Sequence, residues 1–368
     1  MNLRDAQPDE LEDWDARTVE APGGHVYQSR AWAAHRGRSG WQPRFLVDDA
    51  GGRALVLTRR WPFVGGGSAY VPRGPGPVDA DGAGAETLAA RLIAIGDLLA
   101  ADAIDVVAAD PEVPDSETGF RRAIEAAGFH QIEEIQPSRH RITLPLAGRT
   151  EDDIFAGVSK STRQRIRKAE DTVERVVRYD AHVGADGPGD GFTTPSEGPE
   201  IALDRFYDLL LATGERLHFT FGPREPFVAW WRAALEAGHL VYLEAWGIRA
   251  APIAGLILYR HGGRLSTVHS GDDPGVRDET PGAMHLLRWR AIQLAIREGS
   301  SEMDLGGVDV AGARNEPQEG DPLFGLYQHK QSFGGQWLAL TGAHERVFDP
   351  RGYKIGRLAS RATRLVRR

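Results

Sequence analysis

An α/β protein with two tandem domains and mixed sheets is what this sequence predicts, and three observations carry the expectation. The chain has 368 residues, more than one hydrophobic core usually fills. Period-two apolar runs alternate with segments of helical period, the pattern of sheets covered by helices. One order of elements (hairpin, turn-rich loop, helix, strand) also occurs twice.

The first copy begins with the hairpin WQPRFLVDDAGGRALVLTRR (41–60), whose runs flank a Gly-Gly turn. AYVPRGPGPVDADG (69–82) follows as the loop, then an amphipathic helix near 85–100 and the strand AIDVVAAD (103–110). The second copy has the hairpin LVYLEAWGIRAAPIAGLILYRHGGRLSTVHS (240–270), the loop GDDPGVRDETPG (271–282), a helix near 283–298 and the strand EMDLGG (302–307). His269 lies 199 residues after Tyr70, Arg288 197 after Arg91, and Asp304 199 after Asp105, as a tandem duplication requires. This order resembles that of the GNAT acyltransferases, so two tandem GNAT-like domains are expected. They would cover 1–148, with 346–368 available to complete it, and 149–345. GADGPGDGFTTPSEGPE (184–200) reads as a flexible surface loop of the second domain.

Composition narrows the chemistry. With 41% hydrophobic and 26% charged residues the chain is of soluble globular type. It has no cysteine, which excludes disulfides, thiolate zinc sites and a cysteine nucleophile, and its 12 histidines contain no H-x-x-x-H pair. No metal or cofactor is expected. The start, MNLRDAQPDELEDWD, is acidic without an apolar segment, and LAARLIAIGDLLAADAIDVVAA (88–109) is broken by four charges, so a cytoplasmic protein is expected. Net charge is −8, yet residues 351–368 hold Arg351, Lys354, Arg357, Arg361, Arg364, Arg367 and Arg368 with no acid. In YKIGRLASRATRLVRR (353–368), Ile355, Leu358, Ala362, Leu365 and Val366 share a helical face among these cations. That pattern fits peripheral contact with an anionic membrane.

VSKSTRQRIRKAEDTVERVV (158–177) places Thr162, Ile166, Ala169, Val173 and Val176 at helical spacing behind an N-cap at Ser159 or Ser161. Lys160, Arg163, Arg165, Arg167 and Lys168 precede its first acid, so its early turns form either a phosphate-binding face or a solvated charged one. A coenzyme A enzyme needs free backbone N–H groups before the second-copy helix. RDETPG (277–282) has Thr280 and Pro281 there, and VPRGPGP (71–77) has three prolines, so another acyl donor is expected. In GLYQHKQSFGG (325–335), Tyr327, Lys330 and Phe333 fall on one stripe. Lys330 there is either a snorkelling side chain or a cation fixed between two rings.

These pieces, with VYQSRAWAAHRGRSGW (26–41), IQPSRHRITLPL (135–146), ATGERLHF (212–219) and MDLGG (303–307), resemble in order the Fem family (FemA, FemB, FemX) over residues 26–350. The helical arm of some family members is absent, as in FemX, and Gln164 stands where family members often have tyrosine. The resemblance implies transfer of an amino acid of the glycine, alanine or serine class from aminoacyl-tRNA to an amine of a peptidoglycan precursor, lipid II or UDP-MurNAc-pentapeptide. Alternatives are a related ligase acting on a small metabolite, or a non-catalytic RNA- or membrane-binding module. A monomer is expected.

Lys330 matches the family's essential lysine, with an electrostatic role. Asp110 would receive or orient the acceptor amine's proton. Arg36, Arg73 and Arg216 would hold the precursor's phosphates, since guanidinium forks fit them. Tyr70, Phe219 and Tyr327 would pack against substrate. Lys160, Arg163, Arg167 and Lys168 would meet tRNA.

Overall fold

A computed structural model describes residues 1–76, 84–136, 139–184, 187–217, 220–248, 251–276, 279–308 and 315–366. Its strands are β1 (Leu3–Asp5), β2 (Gln42–Asp48), β3 (Arg53–Arg60), β4 (Gly67–Val71), β5 (Val106–Ala109), β6 (His130–Gln131), β7 (His140–Pro145), β8 (Val173–Asp180), β9 (Leu240–Gly247), β10 (Pro252–His261), β11 (Arg264–Asp272), β12 (Glu302–Asp304), β13 (Gln336–Ala339) and β14 (His344–Val347). Its helices are α1 (Arg30–Arg38), α2 (Ala85–Ala101), α3 (Thr118–Ala126), α4 (Glu151–Gly157), α5 (Lys160–Thr172), α6 (Pro199–Leu217), α7 (Arg224–Glu236), α8 (Ala283–Arg297), α9 (Phe324–Gln331) and α10 (Pro350–Val366).

The chain divides into two compact units: Met1–Arg141 with Gly307–Gln318 and Leu338–Arg368, and Ile142–Gly306 with Glu319–Trp337. The sequence placed the division at 148/149. The C-terminal segment belongs to the first unit because β14 lies antiparallel between β5 and β6.

The first unit holds a sheet of order β1-β2-β3-β4-β5-β14-β6 in which β4 and β5 run parallel. Leu92, Ile95 and Leu99 recur on one face of α2 and bury against Val56, Val71 and Val107 of the sheet. The other sheet has the order β13-β7-β12-β11-β10-β9-β8, with β11 and β12 parallel. Helix α8 joins that parallel pair as α2 joins β4 to β5, so the duplicated order read from the sequence is the order of the folded elements. Leu286, Leu287, Trp289, Ile292 and Leu294 bury α8 on most sides.

The basic helix α5 ends at Thr172, shorter than its apolar spacing suggested. Val173, Val176 and Val177 instead enter β8 and pair with β9, where β-branched side chains pack well. Part of the glycine-rich loop is also tied down. The Thr193 N–H donates to the Val176 carbonyl at 2.7 Å and the Arg178 N–H to the Thr193 carbonyl at 3.2 Å.

Candidate active site

In the first unit, β5 stops at Ala109 and delivers Asp110, which Pro111 follows without an N–H to extend the ladder. The Asp110 carboxylate is 1% exposed. Its Oδ1 accepts the Tyr70 hydroxyl at 2.9 Å and the Arg73 backbone N–H at 2.8 Å. Arg73 has φ 49, an uncommon left-handed backbone that aims its N–H at the carboxylate. Gln136 Nε2 donates to the Tyr70 hydroxyl oxygen at 3.1 Å, which leaves that hydroxyl's proton for Asp110. Asp110 Oδ2 is buried with no hydrogen-bond donor among the described residues, the Arg73 Nε standing off at 3.6 Å. Burial pushes Asp110 up to about 6, against the opposing pull of Arg73. Burial also works to lower Arg73, but the Asp110 and Glu112 carboxylates outweigh it and hold that guanidinium charged.

Arg36 of α1 lies over the Trp32 and Trp41 rings, 5.4 and 5.7 Å from their centroids, while Tyr27 stacks on Trp32 at 4.2 Å. Its buried Nε meets no acceptor among the described residues, and burial lowers its pKa. A cation on an aromatic floor, with no carboxylate paired to it among the described residues, is equipped for an anionic ligand.

In the second unit, α9 carries Tyr327 and Lys330 on one buried stripe that Phe333 continues, as the spacing predicts, and Gly334 turns the chain at φ 89. Lys330 is 5% exposed, so its ammonium does not snorkel to water. The ammonium lies where β12 has ended and β11 runs on. A Cβ on Gly306 would sit 3.2 Å from Lys330 Nζ and 2.8 Å from the Thr267 carbonyl oxygen. Glycine at φ 78 is thus what leaves the lysine room at the carboxyl end of a parallel pair, the place where open α/β sheets take ligands.

Arg288 of α8 supplies a second cation to this place. Its Nε donates to His329 Nε2 at 3.3 Å and its Nη1 points to the Leu305 carbonyl at 3.4 Å. Burial alone lowers it to about 10, and it forms no ion pair with a carboxylate among the described residues. The duplicated position behaves otherwise: Arg91 of α2 is just as buried but pairs with Asp48 at 2.7 Å. His285 meets His329 edge-on at 4.5 Å, and burial followed by nearby arginines keeps both neutral, down to about 4 and about 2. Arg165 reaches the same group, with Nη1 3.3 Å from His285 Nε2. Arg288, His285 and His329 were not singled out as site residues from the sequence; the offset of 197 from Arg91 was the available signal.

The other expected site residues fall as follows. Tyr327 packs between Phe324 and Trp337 with its hydroxyl accepting from Gln331, which makes it part of the core and not a wall facing substrate. Arg163 donates to the Ala156 and Val158 carbonyls, each at 2.8 Å, and so closes the C-terminal end of α4. Lys160, Arg167 and Lys168 are exposed on α5. Arg216 lies in the last turn of α6 with its side chain outside the description, and Phe219 is outside the described residues.

Beside the start of α8 is a pocket of about 370 Å³ lined by Arg165, Ile253, Asp272, Asp273, Thr280, Pro281, Gly282, Ala283, Met284 and His285. Two carboxylates line it against one cation, Arg165, and proline takes one N–H from the loop. The lining is on balance negative, which disfavours a diphosphate, so calorimetric titration with acetyl-CoA should show no binding tighter than about 1 mM, roughly −4 kcal/mol. Micromolar binding would restore coenzyme A as donor.

Residues 160–330 match the model of an acetyltransferase (GNAT) domain, a little under half of the chain. No curated protein sequence matches. Among solved structures, FemX shares 17% identity with a TM-score of 0.75 over 96% of this chain and 99% of that one. L-PGS from Bacillus licheniformis shares 13% identity with a TM-score of 0.50 over 97% and 98%. The Fem resemblance carried by the ordered motifs and this likeness of fold agree along nearly the whole length, and the fold is that of two tandem GNAT-like units, similar to FemX.

Proposed function

We propose that the protein is an aminoacyltransferase that moves an amino acid from aminoacyl-tRNA to the amine of a peptidoglycan-precursor peptide. The observation that carries the reading is the cationic pair Lys330 and Arg288 at the carboxyl end of the parallel strands of the second unit. Among the described residues Arg288 stands there without the counter-ion that its duplicate Arg91 has. A buried guanidinium without a carboxylate is costly, and an anionic donor that supplies the missing charge offsets the cost on binding.

The aminoacyl ester is already activated, so the protein needs to position it, stabilise an oxyanion and accept a proton. The acceptor amine attacks the ester carbonyl and gives up a proton. Lys330 stabilises the oxyanion. The C–N bond forms, the ester C–O bond breaks, and the tRNA 3′-oxygen leaves and takes up a proton. Arg36, on its tryptophans, and Arg73 hold the precursor's phosphates. The neutral His285 and His329 add no further positive charge beside the two cations. The test is incubation with charged tRNAs, one amino acid at a time, and either UDP-linked or lipid-linked precursor, with mass spectrometry of the peptide. One amino acid should appear in amide linkage on the stem. Transfer to a small amine but to neither precursor would replace the acceptor, and no transfer from any charged tRNA would overturn the reading.

Arg288 provides a separate check. Its depression from 12.5 to about 10 means that burying the charge costs the folded state roughly 3 kcal/mol, in full at neutral pH. Arg288→Met should therefore raise the melting temperature while lowering transfer at least about tenfold, the trade-off expected of a destabilising functional residue. A variant that melts lower with transfer unchanged would make Arg288 a structural residue.

A further inference from the structure

We infer that the first unit carries an anionic-membrane-binding face made jointly by α10 and the β3–β4 loop, residues 61–66. The sequence pointed to the helix alone. The described part of its apolar stripe does not face the protein: α10 rests on the unit through Gly352, Tyr353, Gly356 and Ala359, while Ile355 and Leu358 are 53% and 58% exposed. Small residues on the inner side bring the helix close. A Cβ on Gly356 would lie 2.3 Å from the Trp61 ring. The outer side of the same turns carries Arg351, Lys354, Arg357 and Arg361, all exposed, and no acid occurs from 350 to 366.

The loop adds what the sequence did not disclose. Phe63 is 93% exposed, at a left-handed φ of 65 that a bulky side chain rarely adopts, and Val64 beside it is 37% exposed. The backbone thus holds an aromatic ring out in water at an energetic cost. Loop and helix share one anchor. The Trp61 Nε1–H donates to Asp105 Oδ2 at 2.5 Å, and Trp61 lies 6.3 Å from the Tyr353 ring. The Phe348 N–H, just ahead of α10, donates to the Asp105 carbonyl at 2.8 Å. Gly66 and Gly352 also crowd that carboxylate, where a Cβ would lie within 2.1 and 2.9 Å of it. The ring at the loop tip and the aliphatic stripe of the helix are therefore presented from one rigid foot.

Exposed aromatic and aliphatic side chains beside a helix that carries cations and no acid of its own fit the interface of an anionic bilayer, where the cations meet phosphates and the apolar groups enter the acyl boundary. RNA would use the cations but would gain nothing from Ile355 and Leu358. This inference does not depend on the transfer reaction. The test uses the full chain and vesicles of phosphatidylglycerol mixed with phosphatidylcholine, against phosphatidylcholine alone. Binding should require the anionic lipid and fall with salt. Phe63→Ser and Leu358→Ser should each weaken it about tenfold or more, as should Lys354→Gln with Arg361→Gln. Because the chain has no cysteine, Phe63→Cys and Leu358→Cys each give one labelling site for an environment-sensitive dye, and both dyes should shift blue on vesicles.

Several results would overturn the inference: no vesicle binding; binding unchanged in the serine variants; a dye at 358 that enters lipid while one at 63 stays in water; or loss of tRNA binding in these variants with vesicle binding intact. Dye protection without lipid, together with a dimer in sedimentation, would assign the face to a second copy of the chain.

Discussion

Replacing Lys330 by methionine should lower single-turnover transfer about 10²–10³-fold, the usual loss when one preorganised oxyanion donor is removed from a water-excluded site. Methionine keeps most of the buried stem, so the variant should fold with little change in melting temperature. Lys330→Ala is the harsher companion, since the residue is 5% exposed and truncation leaves a cavity among buried neighbours. Lys330→Arg should not rescue activity. The ammonium lies beside Gly306, where a missing Cβ already makes the room, and a planar fork is larger. Stopped single-turnover assays beside thermal melts decide the matter. A well-folded methionine variant that transfers at the parent rate would remove Lys330 from the reaction, and one that simply unfolds would make it a packing residue.

How far the sequence could be read depended on whether a residue's role rests on local spacing or on long-range closure. The buried stripe of Tyr327, Lys330 and Phe333 was legible because three-residue spacing on a helix fixes a face without tertiary knowledge. That Tyr327 is core, while Lys330 reaches the strand ends, was not legible, because the direction of that face depends on where β11 and β12 part. The duplication was legible from nearly constant offsets. Its most informative consequence, a paired Arg91 against an Arg288 with no carboxylate partner among the described residues, needed the structure, because Asp48 lies 43 positions before Arg91. Arg163 shows the converse. Its sequence neighbours are basic and made it a phosphate candidate, but the end of α4 lies within reach and its carbonyls need donors. The end of α5 was missed since helical period and a β-branched run coincide from Val173 to Val177, and pairing with β9 settled the choice.

Asp110→Asn should lower transfer about 10²–10⁴-fold, the range of a lost general base, and abolish a distinctive pH dependence. Only the ionised carboxylate can accept the proton, and burial has moved its pKa up to about 6. Transfer by the parent protein should therefore rise about tenfold per pH unit below 6 and flatten above about 7, where the base is already ionised. The same shift has a stability signature with a definite sign. The folded pKa lies above the ordinary 3.8, so the folded state loses stability as pH rises from about 4 to 6, by roughly 3 kcal/mol once ionisation is complete. Asparagine retains an acceptor for the Tyr70 hydroxyl and the Arg73 N–H while removing that charge, so the variant should lose this contribution to the pH dependence of melting between 4 and 6. Rate–pH profiles and melting–pH profiles of parent and variant, taken together, test both halves. Equal rate profiles would show that the titrating base is another group. An inactive variant whose melting still falls by the parent's amount between pH 4 and 6 would show that Asp110 acts in position but does not carry the raised pKa.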